Sequence, residues 1–332
     1  MAIPLSSSTG EPVADLEGDP LASTTAGIEG RSLGQIAWSR LRRDKVAMAG
    51  GVVALLLIVI AILAPWLSSL AGVDPDTGNT NLIDANLGTP LGGMGGINGQ
   101  HILGVDLEGR DLFSRIIFGA RISLGVAGVS TLVAILLGAT MGMIAGYYGG
   151  WIDSLISRTM DIMLAFPLLL FAISLSAVLE NSAFGLTGNT LHFAVLVFII
   201  GFFSWPYIGR IVRGQTIGLR EREFVEAARA LGARPARIIF REILPNLMAP
   251  ILIYATLLIP VNILFEAALS FLQVGFRDPT PSWGDMINQS IQYYQVDPEY
   301  LLVPGTAILL TVLAFNLFGD GLRDAFDPKA NR

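Results

Sequence analysis

The stretch EREFVEAARALGARPARIIFREILPN, residues 221–246, is the most charged segment of an otherwise very apolar chain. Phe224, Val225, Ala228 and Leu231 recur at helical spacing and define one face. Glu221, Arg222, Glu226 and Arg229 occupy much of the rest. Gly232 follows the last periodic residue, where a glycine ends a helix, and Pro235 suits the first turn of the next. That next helix carries Ile238, Ile239 and Ile243 and runs through Pro245 into an apolar segment. The stretch therefore reads as a short amphipathic helix, a break, and a second helix that enters a membrane. Ala227 and Ala228 are small enough to let a partner's backbone approach. Phe224 and Leu231 are the apolar anchors that helix-in-groove docking requires. A helix lying flat on the bilayer is the plainer reading. A DNA-reading helix-turn-helix is a third, against which the short tether to two apolar segments counts.

Outward from this stretch, the chain has 332 residues, 52% hydrophobic and only 14% charged, against roughly 25% charged in soluble domains. A spanning helix needs about 20 mostly apolar residues. Six stretches qualify: 46–66, 122–147, 162–179, 191–211, 247–269 and 301–318. Six such runs, nearly free of charge, argue against buried helices of a soluble protein. The first starts far from the N-terminus and lacks a clear small-residue cleavage site, so it reads as a span and not a signal peptide. Residues 1–30, rich in Ser, Thr, Gly and Pro with acidic but no basic side chains, read as a disordered tail. Residues 31–70 combine a basic stretch, with Ile36, Trp38 and Leu41 spaced for an interfacial helix, and the first span. Residues 71–119 form a long loop, and 120–327 a five-helix core that contains the loop 212–244.

Lysine and arginine counts orient the chain. With the N-terminus inside, 17 of the 21 fall in inner flanks, and four (Arg110, Arg115, Arg121 and Arg277) fall outside. Both termini and the 221–246 stretch are then cytoplasmic. Ser130, Ala134, Gly138, Gly142 and Gly146 recur every four residues along the second span, a small-residue face for close packing.

Catalytic readings find little material. There are no cysteines and only two histidines, His101 and His192, so no metal site is expected. The only lysines, Lys45 and Lys329, do not follow a glycine, so there is no phosphate-binding Gly-Lys-Ser/Thr loop. Asp161 and Glu266 are the acids that fall at or near span ends. Charged groups in a bilayer are costly and tend to face a cavity. Glu266, with Asn262, is therefore expected on a translocation path, the plainer reading being a structural or interfacial carboxylate. Arg110 and Asp111 either contact an external protein or pin their own loop.

The residues EAARALGARPARIIFREILPN resemble the cytoplasmic-loop signature of ATP-binding-cassette importer permeases: Glu226, Ala227 and Ala228, then Gly232, then Ile239 or Ile243, Leu244 and Pro245. HILGVDLEGRDLFSRIIFGARISLGV (101–126), GYYGGWIDSLISRTMDIMLAFP (146–167) and EAALSFLQVGFRDPTPSWGDM (266–286) resemble the dipeptide and oligopeptide permeases of the C-subunit type. The likeness covers about 31–327. Departures are Ile102 in place of a proline, Gln273-Val274 in place of Gly-Leu, and a longer glycine-rich insert near 91–98. The resemblance implies an all-α membrane protein with six transmembrane helices, the type I importer permease fold, preceded by an N-terminal extension helix. It implies a coupling helix at Phe224, Val225, Glu226, Ala227, Ala228, Leu231 and Gly232 that docks on an ATPase. Its partners would be a homologous permease, two ATPase subunits that carry ATP and magnesium, an extracytoplasmic substrate-binding protein, and lipid, but no nucleic acid. No cofactor would be bound by this chain. The location would be the bacterial plasma membrane and the cargo di- or oligopeptides. A secondary transporter or channel explains the spans but not the loop signature, and spans with almost no midplane charge offer it little for ion coupling.

Overall fold

The computed structural model describes residues 33–91, 95–179 and 182–326. The expected tail, 1–30, lies outside them. Among the described residues the regular structure is helical apart from a two-stranded hairpin, β1 (Ser182–Ala183) antiparallel to β2 (Leu186–Thr187), and two isolated bridges in the long loop between residues 72 and 111. A short helix, α1 (Leu33–Leu41), leads to α2 (Lys45–Ala71). Asp44 caps α2 by accepting from the Val46 and Ala47 N–H groups at 2.9 and 3.0 Å. Gly72, at φ 68°, closes it. The next helix, α3 (Leu112–Tyr148), begins ten residues before the expected span because Asp111 caps it, accepting from the Ser114 N–H at 2.7 Å.

Among the described residues five helices are long and apolar enough to cross a membrane: α2, α3, α6 (Gly188–Leu219), the helical run Pro235–Phe271, and α11 (Pro298–Phe326), which follows the short α10 (Trp283–Ser290). A bent pair, α4 (Gly150–Ala165) and α5 (Leu168–Val178), which meet at 82°, is long and apolar enough only when taken together. The single third span expected over 162–179 is therefore corrected to two helices. Pro167 has no N–H to give and drives Phe166 into an extended conformation (φ −80°, ψ 131°), which breaks the helix there.

Small residues decide which helices touch. A Cβ added at Gly138 would lie 2.7 Å from the Trp205 carbonyl oxygen of α6, one at Gly142 2.6 Å from that of Gly209, and one at Gly146 2.7 Å from Thr216 Cβ. The small-residue face of α3 is thus the seat of α6. On α2, Ala47, Gly50, Ala54, Ala61, Ala64 and Ser68 are buried, whereas Leu55 and Ile62 point outward. A Cβ at Gly50 would meet the Ala314 carbonyl of α11 at 2.8 Å. In lipid there is little hydrophobic drive between helices, so backbone approach at small residues is what joins them.

Candidate functional site

The 221–246 stretch forms α7 (Glu223–Ala230), a turn, α8 (Pro235–Arg237), a π-helical turn Ile238–Ile243, and α9 (Leu244–Phe271). Glu223 and Glu226 stand in the first turn of α7 and Arg229 in the last, each matched to the helix dipole. Gly232, at φ 79°, ends it. Its N–H reaches the Arg229 carbonyl and the Ala233 N–H reaches the Ala228 carbonyl, both at 3.0 Å, which is the Schellman pattern. Pro235 opens α8.

The face expected to carry Phe224, Val225, Ala228 and Leu231 is split by the tertiary fold. Val225 is fully buried among Ala139 and Met143 of α3, Ile208 and Val212 of α6, and Ile238, Ile243 and Leu247. Ala228 is half-buried against the same cluster. Phe224 is 38% and Leu231 89% exposed, and Glu226, Ala227 and Gly232 are exposed too. Val225 is thus an inward plug and not part of the outward surface. An eight-residue helix is marginal by itself, so it needs an inner anchor to exist at all. What remains outward is Phe224 and Leu231, with Phe240 of the π turn also exposed, flanked by the exposed Arg222, Arg229, Arg234, Arg237 and Arg241. This surface has the make-up of a docking helix: apolar anchors inside a charged rim.

Polar contacts tie the same region to the spans. The Arg229 guanidinium lies over the Tyr147 ring at 6.0 Å. Arg220 donates to the Gly146 carbonyl at 3.0 Å. Arg213 of α6 holds Asp153 of α4 with two bonds, Nη2 to Oδ2 at 2.7 Å and Nε to Oδ1. Arg210 pairs with Asp161 at 2.5 Å. Asp161, considered above as an acid, is therefore one half of an ion pair. Spacing along the chain carries no sign of these partners.

Asn262 and Glu266 do not face an open path in this chain. Both are fully buried on α9. Asn262 donates to Thr131 Oγ1 at 2.8 Å and accepts from Ser204 Oγ at 3.3 Å. Glu266 Oε1 accepts from Ser270 Oγ at 2.9 Å. In an apolar surround a polar side chain seeks hydrogen bonds; α3 and α6 supply them to Asn262, whereas Glu266 Oε2 is buried without a hydrogen-bond partner among the described residues.

At the other end of the spans, Arg110 reaches Asp106 at 2.7 Å, Glu108 at 2.5 Å and Asp278 at 2.6 Å. Arg115, fully buried, bonds the Pro75 carbonyl at 3.2 Å and Asp278 at 3.3 Å. Burial opposes the charge of Arg110, but Asp106 and Asp278 outweigh it and hold its pKa above the usual value. Asp111 also pairs with His101 at 2.9 Å. Arg110 and Asp111 thus pin their own loop. A polar cleft of about 400 Å³ opens beside them, lined by Arg110, Arg277, Asp278, Asp285, Gln289 and Tyr300 among others. Burial raises the pKa of Asp285 to about 6, with Arg115 pulling the other way. Among the described residues no group of His, Asp and Glu is disposed to hold a metal ion.

Residues 138–332 match the family described as binding-protein-dependent transport system inner membrane component. Residues 32–88 match the N-terminal transmembrane domain of oligopeptide transport permease C. A dipeptide transport system permease protein, DppC, of Alkalihalophilus pseudofirmus is 44% identical over 293 residues, 88% of this chain and 89% of that protein. Glutathione transport system permease proteins, GsiD, of Pectobacterium atrosepticum and Escherichia coli O157:H7 are each 40% identical over 88% of this chain, and 90% and 89% of those proteins. Among solved structures, an inward-facing form of the MetNI methionine ABC transporter aligns with a TM-score of 0.49 at 20% identity, over 64% of this chain and 97% of that one. With a family match over 138–332 and relatives at 40–44% identity along most of its length, the chain belongs to the inner-membrane permease components of binding-protein-dependent ABC transport systems.

Proposed function

We propose that this chain carries peptides across the bacterial plasma membrane as one of two homologous permeases, driven by two separate ATPase subunits that dock on α7. Membership in the family makes it a multi-pass transport component of a system with an ATPase and a substrate-binding protein. The names of the dipeptide and glutathione relatives support a peptide cargo. The observation that carries the docking role is the division of α7 between an outward Phe224 and Leu231 and an inward Val225. A force on the outer residues reaches α3, α6 and α9 through Val225, which touches their shared cluster. Phe224 and Leu231 are the anchors in the ATPase cleft, Ala227 admits close approach, Glu226 orients the dock, and Gly232 sets the break. ATP and magnesium are held by the ATPase subunits, and no cofactor by this chain. Both termini lie in the cytoplasm, and the binding protein delivers its load at the Arg110 end.

The chain has no cysteine, so single thiols report cleanly. A cysteine at the exposed Ala227 or Leu231, paired with one in the ATPase cleft, should cross-link in membranes with a yield that changes when ATP is added. Absence of any cross-link from 224 to 231 in an assembled complex would leave α7 on the bilayer. An ATP-independent transporter would then be the better account.

A further inference from the structure

Arg121 is exposed on α3 and sits in a groove of about 340 Å³ whose other walls are Ile58, Ala61, Ile62, Leu124 and Gly125. No carboxylate among the described residues pairs with it, although Arg110, Arg115, Arg210, Arg213 and Arg220 all have acidic partners. Its depth follows from α2. Ile58 and Ile62 lie 13 and 17 residues beyond Lys45, which is about 20 to 25 Å along the helix at 1.5 Å per residue. The hydrocarbon layer is about 30 Å thick. Measured from the Lys45 end, the guanidinium therefore lies toward the outer edge of that layer, the side on which its charge was counted, where a long basic side chain reaches lipid headgroups.

We infer that this groove binds an anionic phospholipid, its phosphate on the Arg121 guanidinium and an acyl chain along Ile58, Ile62 and Leu124. A guanidinium presents a planar fork that matches two phosphate oxygens. The apolar walls accept a methylene chain. The surface around the groove belongs to lipid and not to another subunit. Helices that join in a bilayer do so at small residues. The small residues of α2, from Ala47 to Ser68, are already used against neighbours within this chain. The outward side of α2 is Leu55, Ile58, Val59 and Ile62, large and aliphatic. Of the five candidate spans α2 is the least covered, at 22% buried against 56% for α6.

The test uses the purified full-length chain in detergent, with phosphatidylglycerol, phosphatidylcholine and inorganic phosphate as probes, read by native mass spectrometry and by thermal shift. Phosphatidylglycerol should be retained several-fold more than phosphatidylcholine and should raise the midpoint, while inorganic phosphate at equal concentration should do neither. Arg121→Gln should abolish the preference and Arg121→Lys should keep part of it. Ile62→Ala, which removes an exposed apolar wall of the groove and leaves the arginine, should reduce retention as well, and it carries the test if Arg121→Gln does not fold. Equal retention of both lipids by the unaltered chain, or unchanged phosphatidylglycerol retention in Arg121→Gln and Ile62→Ala, overturns the inference. An effect of inorganic phosphate equal to that of the lipid overturns the assignment to a membrane lipid.

Discussion

The guanidinium of Arg229, on the outward side of α7, lies 6.0 Å from the centre of the Tyr147 ring at the end of α3. Beneath it, Val225 of α7 and Met143 of α3 share one buried apolar cluster. The surface helix is thus held to the spans by a cation–π contact and by burial of Val225 in a shared apolar cluster, and these are separable by mutation. Val225→Ala removes two buried methyl-sized groups and should lower thermal stability by about 2 kcal/mol. It should also depress uptake in vesicles. Phe224→Ala removes a half-exposed side chain and should leave stability within about 0.5 kcal/mol while weakening co-purification of the ATPase. Equal stability losses in the two variants would argue against the inward and outward division.

The α3–α6 seam should respond to volume alone. Gly142→Ala places a Cβ 2.6 Å from the Gly209 carbonyl oxygen, a clash with backbone that can be relieved only by moving a helix. A loss of about 1 to 3 kcal/mol is expected. Gly128→Ala, with nothing within 4 Å of the added Cβ, should be neutral or mildly stabilising, since alanine is the better helix former. Thermal unfolding of the two variants in detergent, side by side, checks this.

Asp153 and Arg213 hold the start of α4 to α6 in a two-bond pair, with side-chain exposures of 20% and 33% respectively. Partial exposure limits its worth. Asp153→Asn and Arg213→Gln should each cost about 1 kcal/mol, and the double variant less than their sum. A double-mutant cycle should return a coupling of about 1 kcal/mol. Strict additivity would mean that the pair does not act as a unit.

Asp285 titrates near 6 because it is buried. A carboxyl whose folded pKa exceeds its unfolded value binds its proton more tightly in the folded state. Its contribution is therefore most favourable below about pH 4 and is lost as pH rises through 6. Asp285→Asn keeps the shape and the contact with Gln289 but cannot ionise. At pH 7.5 it should be more stable than the unaltered chain by about 1 to 3 kcal/mol, and the gap should close by pH 4. Unfolding midpoints at the two pH values decide the sign.

Gln273 sits at φ 62°, in the left-handed region, just past the end of α9. A glycine would be free of strain there, and the structure supplies what the glutamine gains: Gln273 Nε2 donates to Asn288 Oδ1 at 2.8 Å. Gln273→Ala keeps the strain and loses the bond, whereas Gln273→Gly loses both. The alanine variant should be less stable than the glycine variant by about 1 kcal/mol, measured by thermal unfolding.

Much of this architecture was legible before any coordinates. The spans follow from runs of apolar residues, because a bilayer imposes one length and one chemistry on whatever crosses it. The break at Gly232 and the restart at Pro235 were readable because turn chemistry acts over a few residues. The small-residue face of α3 declared a close contact through its spacing. The 82° bend at Pro167 was missed because the apolar run continues unbroken across it, although the proline itself was the signal.

By itself, the sequence determined the local and the periodic: which segments are apolar enough for lipid, where helices start and stop, and that residues 221–246 form a helix pair. Only the tertiary structure decided that Val225 faces in while Phe224 and Leu231 face out, since that depends on where α3, α6 and α9 stand around α7. Only it joined Asp278 to Arg110, 168 residues away, and closed Asn262 and Glu266 inside the bundle. A charge or an amide finds its partner by proximity in space, and proximity in space is set by how helices pack. The spacing of residues along one strand of chain carries no record of that.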